Sequence, residues 1–404
     1  MRRLCLLASL SLLACDPGQG KPPAPQPTVA PKPTSTPTPP ATPPIARPPV
    51  IQPPATPGSG APLTALAPDS QRSDLKSDEE ARIFPAIARR DGDAWELRVH
   101  AWVYEPEEDS VGRAATVEAL RVALGLPDEA AESAIFRARA RPFLVDNESS
   151  KALVVRIGDA RYLLNSTGFN GHSETDLRVA ASGLRPDAAG WVPIDVVTRE
   201  HDLRHFGGAA LLLADSGTSV ISDLDDTIKI SEVRDKAKLL KNTFMREPVA
   251  VPGMADFYRR WAGAGATFHY VSASPWQLFD VLGTFLKSAD FPPGSVHMKQ
   301  FRWKDSSFFS LFEDPRGYKL PILRDLLKRS PGRRFVLVGD SGELDPEAYG
   351  ELARELPAQV AAIHIRDVTG EGRDAPRYAA AFADLPAERW TLFTDPTTLP
   401  QTLP

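Results

Sequence analysis

The chain has 404 residues, a formal net charge of −5 and 42% hydrophobic residues. That is enough apolar material for one or two buried cores, without the basic excess of a dedicated nucleic-acid binder. Its two cysteines, Cys5 and Cys15, leave the rest of the sequence without thiolates, which excludes disulfides, thiol catalysis and zinc–thiolate sites there. The 40 prolines exceed what a packed fold tolerates when evenly spread, but close to half fall between Pro17 and Pro68.

Met1-Arg2-Arg3 is a positive n-region, and Leu4 to Leu13 is an apolar run too short for an ordinary transmembrane helix. Residues 1–14 therefore read as a signal peptide. Leu12-Leu13-Ala14-Cys15 resembles the lipobox of bacterial lipoproteins, which implies that Cys15 is lipidated and that the mature protein is an exported lipoprotein, anchored in a membrane of the cell envelope and facing the periplasm or the exterior. Residues 15–72 are rich in Pro, Ala, Thr and Ser and too poor in large apolar side chains to offset their ordering entropy. They are expected to form a disordered tether, reaching on the order of 150 Å at ~3.1 Å per residue if extended as polyproline II.

Residues 73–215 read mostly as strands. Trp95 to Ala101 alternates apolar and polar residues, the period of a half-buried strand. Further short runs cover Arg141–Val145, Ala152–Ile157, Leu177–Ala181, Trp191–Val197 and Ala209–Leu213. One helix is expected near Ala114–Leu124, where Val117, Leu120 and Leu124 share a face. The pattern predicts a small β-sandwich.

From residue 216 to 404 strands alternate with helices, which predicts an α/β fold with a mainly parallel sheet covered on both faces. The strands expected are Ser219–Asp223, Ala266–Val271, Ser295–Lys299, Arg334–Val338 and Gln359–Ile365, with helices at Met254–Ala262, Trp276–Leu286 and Leu320–Leu327. In such sheets ligands bind beyond the carboxyl ends of the strands. The first of those ends reads Ser222-Asp223-Leu224-Asp225-Asp226-Thr227, with Asp223 and Asp225 at alternate positions. Two carboxylates so close invite a metal ion, because repulsion otherwise raises one pKa. The second end empties into Ser272-Ala273-Ser274-Pro275, small polar residues suited to a phosphate. Lys319 heads a later helix, and Gly339-Asp340-Ser341-Gly342-Glu343-Leu344-Asp345 adds two further aspartates five residues apart.

DLDDT at 223–227, Ser272, Lys319 and GDSGELD at 339–345 resemble, in order, the four motifs of the haloacid dehalogenase superfamily of aspartyl phosphatases. More narrowly, ISDLDDTI, HYVSASPWQL and FVLVGDSGELDPEAY resemble the catalytic domain of the actin-patch-associated phosphatidate phosphatases and their bacterial relatives, over about Ser219 to Asp367. The resemblance implies a Rossmann-like core and a Mg²⁺-dependent phosphomonoesterase, with phosphatidate as the leading substrate and a soluble phosphoester as the alternative. An envelope-tethered binding protein whose β-sandwich does the work and whose phosphatase domain is inactive is the reading from another class. The same resemblance implies Asp223 as nucleophile, Asp225 as general acid and base, Thr227 as the residue that orients the loop, and Ser272 and Lys319 as phosphoryl clamps. It further implies that Asp340, Asp223 and the Asp225 carbonyl ligate Mg²⁺, while Asp345 orients Lys319 or a metal-bound water. Asp226 is expected to face outward, and Ser274 is the substitute for Ser272 if the second motif is shifted by two.

Between the first two motifs, residues 228–250 carry Lys229, Arg234, Lys236, Lys238, Lys241 and Arg246, read either as a basic amphipathic cap for an anionic headgroup or as a solvated helix face. Trp303, Phe308, Phe309, Leu311 and Phe312 form a second apolar group, read as core or as an acyl-chain contact. GDSG at 339–342 follows a parallel-type strand, which argues against a trypsin-like nucleophile loop. His201 and His205 fall in a turn-like stretch and read as surface residues.

Overall fold

The computed structural model describes residues 66–106, 111–300 and 315–404. The signal peptide, Cys15, the tether up to residue 65 and the group from Trp303 to Phe312 lie outside the described residues. Residues 66–72, expected as the end of the tether, are instead held against the first sheet, where Leu66 bridges Tyr162, the Ala67 N–H donates to the Arg161 carbonyl at 2.9 Å and Ala67 is buried, because Leu66 and Ala67 offer apolar surface that the proline-rich run lacks. Among those described, no helix is long and apolar enough to cross a membrane.

The first sheet contains β1 (Glu80–Ile83), β2 (Ala86–Asp91), β3 (Ala94–Glu105), β4 (Asp146–Asn147), β5 (Val154–Ile157), β6 (Ala160–Leu163), β7 (His172–Ala180), β8 (Trp191–Val196) and β9 (Gly207–Leu213). Hydrogen bonds join these nine strands in one sheet rather than in two separate ones. The reason is β3, twelve residues long, which pairs with β1, β2, β4 and β7 and so links what shorter strands would have left apart. Tyr162 of β6 and Leu177 of β7, though far apart in strand order, bury into the same core as Val99, Val155 and Ile194. Arg141–Val145, expected as a strand, instead begins with a 3₁₀ turn over Arg141–Phe143. Pro142 explains the difference, since its fixed φ and missing N–H suit the first turn of a helix better than a ladder. Two helices, α1 (Val111–Ala123) and α2 (Ala134–Ala140), precede it.

The second sheet has the order β12–β11–β10–β13–β14–β15, with every neighbouring pair parallel. Its strands are β10 (Gly217–Asp223), β11 (Thr267–Pro275), β12 (Gly294–Lys299), β13 (Arg333–Asp340), β14 (Val360–Arg366) and β15 (Trp390–Phe393). Its helices are α3 (Lys236–Phe244), α4 (Met254–Gly263), α5 (Phe279–Ser288), α6 (Pro315–Arg329), α7 (Asp345–Glu355) and α8 (Pro376–Ala381). Alternation sorts the side chains between two faces. Val220, Val336 and Val338 join a core with Phe257, Tyr258 and Trp261 of α4, while Ile221, Phe335 and Leu337 join one with Leu323 of α6 and Leu352 of α7. In α4, Met254, Phe257, Tyr258 and Trp261 are fully buried at i, i+3, i+4 and i+7. Gly253 caps this helix with φ 80°, a left-handed conformation that favours glycine. The first of the two cores also takes in Leu120 of α1 and Phe136 of α2, so apolar packing continues across residues 215 and 216.

The chain leaves β10 toward β11 on one side while β13 lies on the other, which makes the β10/β13 junction a topological switch point. Ligand-binding crevices of open parallel sheets form there, beyond the strands' carboxyl ends.

Candidate active site

Asp223 ends β10 and Asp340 ends β13, so the switch point brings their carboxylates together. Asp345, at the start of α7, completes a buried trio whose ligand atoms lie within 4.8 Å of one another. Gly339 permits this approach, since a Cβ there would collide with the Asp345 carboxylate. Lys319 of α6 reaches into the same space, with Nζ 2.8 Å from Asp223 Oδ1, 2.8 Å from Asp345 Oδ1 and 2.7 Å from Glu343 Oε2. Thr227 donates from its hydroxyl to Asp223 Oδ2 at 2.9 Å, tying the loop back to the strand.

Burial pushes the Asp223 carboxyl well above the ordinary carboxylate range, against the pull of Lys319, and Asp345, Glu343 and Asp225 push it further. Asp340 is raised by burial and then by Asp345 and Asp223. Asp340 Oδ1 accepts from the Gly342 N–H at 2.6 Å, but its Oδ2 is buried with no hydrogen-bond partner. An orphaned oxygen beside two more carboxylates is what a hard divalent cation satisfies, and the all-oxygen donor set of Asp223, Asp340 and Asp345 fits Mg²⁺.

Asp225 sits apart from that trio. Its Oδ1 is 2.6 Å from Lys229 Nζ and accepts from the Ser231 hydroxyl at 2.7 Å, and its Oδ2 accepts from both Ser272 and Ser274 at 3.2 Å. Ser272 and Ser274 lie on one side of β11 because the strand runs on to Pro275, so the structure places both alternatives for the second motif at the same carboxylate. Burial would raise Asp225, but the charge of Lys229 and hydrogen bonds from Lys229, Ser231 and Ser272 outweigh it and hold Asp225 below the usual range.

Two expectations are corrected. Asp226 does not face outward: it is buried at φ 55°, and its carboxylate accepts from the N–H groups of Ser231, Glu232 and Val233. That left-handed turn reverses the chain and returns Lys229 to Asp225. Lys229 is accordingly not part of a basic exposed face but a buried ion-pair partner. Of the remaining 228–250 stretch, Arg234, Lys236, Lys238 and Arg246 are exposed, whereas Leu240 and Phe244 of α3 enter the core against Phe136 and Phe143. Glu343 was visible only as an acid between two aspartates, without its link to Lys319. Arg377 of α8 was also missed: it donates to the carbonyls of Ser341 and Glu343 and pairs with Glu347, pinning the loop that carries Asp340 and Asp345. His201 and His205 are exposed, as their turn-like context suggested.

A cavity of about 510 Å³ opens over Glu343, between Val233 and Leu239 on one side and Leu344 and Arg377 on the other. Five carboxylates, those of Asp223, Asp225, Asp340, Glu343 and Asp345, face two ammonium groups, Lys229 and Lys319. A site so rich in negative charge needs added cationic charge before it can receive a phosphate.

Residues 218–367 match the family described as "Phosphatidate phosphatase APP1, catalytic domain". The matching chains include Phosphatidate phosphatase APP1 of Saccharomyces cerevisiae, 36% identical over 167 residues, which make up 40% of this chain and 28% of that one. An uncharacterized protein of Schizosaccharomyces pombe is 31% identical over 160 residues, 39% of this chain and 26% of that one. The match thus spans little more than a quarter of each relative. Among solved structures, a class C acid phosphatase from Bacillus anthracis with tungstate bound aligns at 17% identity and a TM-score of 0.24, covering 35% of this chain and 62% of that one. D,D-heptose 1,7-bisphosphate phosphatase from Burkholderia thailandensis aligns at 16% identity and a TM-score of 0.24, covering 45% and 94%. The matched residues 218–367 are the segment whose motifs led us to expect a likeness to that catalytic domain.

Proposed function

We propose that this chain is a Mg²⁺-dependent phosphomonoesterase that converts phosphatidate to diacylglycerol and phosphate through an aspartyl-phosphate at Asp223. The observation that carries the reading is the buried group of Asp223, Asp340 and Asp345 with Lys319 among them and Asp340 Oδ2 unpartnered, on a domain of the APP1 type. The three aspartates would hold the Mg²⁺, with the Asp225 carbonyl as the further ligand the resemblance implies. When bound, the ion supplies positive charge that keeps the carboxylates ionised and offsets the charge of the phosphate.

The chain's own residues then divide the work. The Asp223 carboxylate attacks phosphorus, forming the acyl phosphate as the bond to the ester oxygen breaks. Asp225 gives its proton to the departing alkoxide. A carboxyl held low by Lys229 is a poor acid by itself, but a phosphate dianion beside it favours the protonated form. Water next attacks phosphorus, loses its proton to Asp225, and frees Asp223 and inorganic phosphate. Lys319 stabilises the phosphoryl oxygens, and the Ser272 and Ser274 hydroxyls hold Asp225 in place. Cys15 lipidation and the proline-rich tether would station this domain within reach of a membrane at the cell envelope.

Phosphate release from phosphatidate in phosphatidylcholine vesicles, compared with release from glycerol 3-phosphate with and without a chelator, tests the reading. The proposal expects preference for the lipid and loss of turnover on chelation. Preference for the soluble ester removes the lipid assignment, and chelator-insensitive turnover removes the metal. Continued membrane association of Cys15→Ser would remove the anchor.

A further inference from the structure

A second cavity, of about 170 Å³, lies between the two sheets, away from the acid group. Phe84, Trp102 and Tyr104 of the first-sheet region wall one side, and Trp276, Gln277 and Phe279 wall the other. The aromatic rings pack closely, with Phe84 4.2 Å from Trp276 and 5.0 Å from Phe279 between ring centroids. Exposed Pro106 and Asp280 also line it, so it reaches the surface.

Its polar lining is largely paired within the protein. Arg82 bonds Asp280 at 2.8 Å, Tyr104 donates to Glu80 at 2.8 Å, and Trp102 donates to Asn147 at 2.8 Å. Gln277 is the exception: it is only 7% exposed, and its Oε1 is buried without a partner. A buried carboxamide oxygen left unpaired beside an aromatic cavity calls for a donor from outside. Water suits the place badly, because it wants two to four polar partners and the polar groups of Arg82, Asp280, Tyr104, Glu80 and Trp102 are already bonded within the protein. A hydrocarbon would leave the amide unpaired. A hydroxyl on an apolar ring answers both features, and it suits either orientation of the amide because a hydroxyl donates and accepts. The cavity is close in size to engineered apolar cavities of roughly 150 Å³ that take up benzene.

We propose that this aromatic cavity, with Gln277 as its polar contact, is a binding site for a small uncharged ring compound bearing a hydroxyl group. The site is separate from the phosphatase chemistry and does not depend on it. Gln277 follows Ser274 by three residues, so an occupant sits at the base of the segment that carries the hydroxyls bonded to Asp225.

Calorimetric titration of the full chain with phenol and with toluene tests the proposal. The two probes share a ring, and only one carries a hydroxyl. The expected result is saturable phenol binding at least about tenfold tighter than toluene, the worth of one hydrogen bond to a buried group. In Gln277→Leu that preference should vanish, and Val145→Trp, which fills the cavity from its half-buried wall, should abolish binding of both probes. Equal affinity for phenol and toluene in the unaltered chain overturns the proposal without recourse to any variant. So does an undiminished phenol preference in Gln277→Leu. Because no turnover is read, the outcome is independent of whether phosphatidate is the substrate.

Discussion

Asp223 and Asp225 stand two residues apart on one strand end, yet their surroundings drive them in opposite directions. Asp223 faces three more acids and one lysine, and burial leaves its carboxyl well above the ordinary range. Asp225 has a lysine of its own and three hydroxyls, and these hold it below that range despite equal burial. Neighbouring carboxylates with pKa values pushed apart are the usual sign of two different tasks. The first environment has one lysine for several acids, a shortage of positive charge that suits the proposed cation. The second is already neutralised by Lys229, which suits the proposed transfer of a proton.

The largest effect expected from this contrast is in turnover. Asp223→Asn should lose activity by on the order of 10⁴-fold or more with every phosphoester, since the proposed nucleophile is gone. Asp225→Asn should lose roughly 10²- to 10⁴-fold with alkyl esters. With p-nitrophenyl phosphate, whose leaving group needs no proton, Asp225→Asn should retain the first half of the reaction and show a burst of p-nitrophenol. An Asp225→Asn enzyme without a burst would erase the division of roles.

Next comes Lys319. Lys319→Met leaves Asp223, Asp345 and Glu343 facing one another, and turnover should fall by roughly 10²- to 10³-fold. Breaking this buried set should also cost about 3–5 kcal/mol in denaturant unfolding of the metal-free protein. An unchanged unfolding midpoint would mean that the four groups are not coupled.

A smaller change is expected from Lys229→Met. Loss of its charge raises the Asp225 carboxyl, so the acid limb of the pH–rate profile, where Asp225 must be ionised to accept a proton from water, should move to higher pH. An acid limb that stays in place would assign it to another group.

The smallest effect near neutrality sets the floor for that profile. Burial lowers His172 and His269 to about 3 and His297 and His364 to about 4. These rings stay neutral in the folded protein but take up protons in the unfolded chain below the ordinary histidine value of 6.5. Their contribution to stability is therefore complete above pH 6.5 and is lost as pH falls toward 4 and then 3. Near pH 6 the loss is about 1 kcal/mol per histidine. Thermal unfolding that is flat between pH 7 and 5 would contradict it.

Much of the site was legible because its residues lie at strand ends, and strand ends follow from apolar runs that stop. Asp223 and Asp340 are of this kind, and the order of the strands then collects them at one switch point, with Ser272 following the apolar run of a neighbouring strand that continues to Pro275. Lys229 and Ser231 were not legible as partners of Asp225, because they return to it only through the left-handed turn at Asp226, a conformation no periodicity announces. Arg377 was missed for a similar reason: it comes 32 residues after Asp345, on a short helix, and acts through backbone carbonyls that carry no sequence signal. In the first sheet β3, β5, β7, β8 and β9 were legible at least in part, whereas β1, β2, β4 and β6 were not, because these short segments carry charged residues such as Arg82, Arg89 and Arg161 that break the apolar alternation. The pairing of β3 with β7 joins residues as far apart as Ala94 and Ala180, a separation of 86 that the sequence does not display.

The most direct test of the central claim, that Asp223 carries the phosphoryl group while Asp225 carries the proton, is to catch the intermediate. Asp225→Asn mixed with p-nitrophenyl phosphate and Mg²⁺, quenched in acid and mapped by mass spectrometry, should show a hydroxylamine-labile phosphoryl group on the peptide containing Asp223, built up because the base that removes it is absent. No covalent phosphate under a burst of p-nitrophenol, or phosphate on any other residue, would contradict the account.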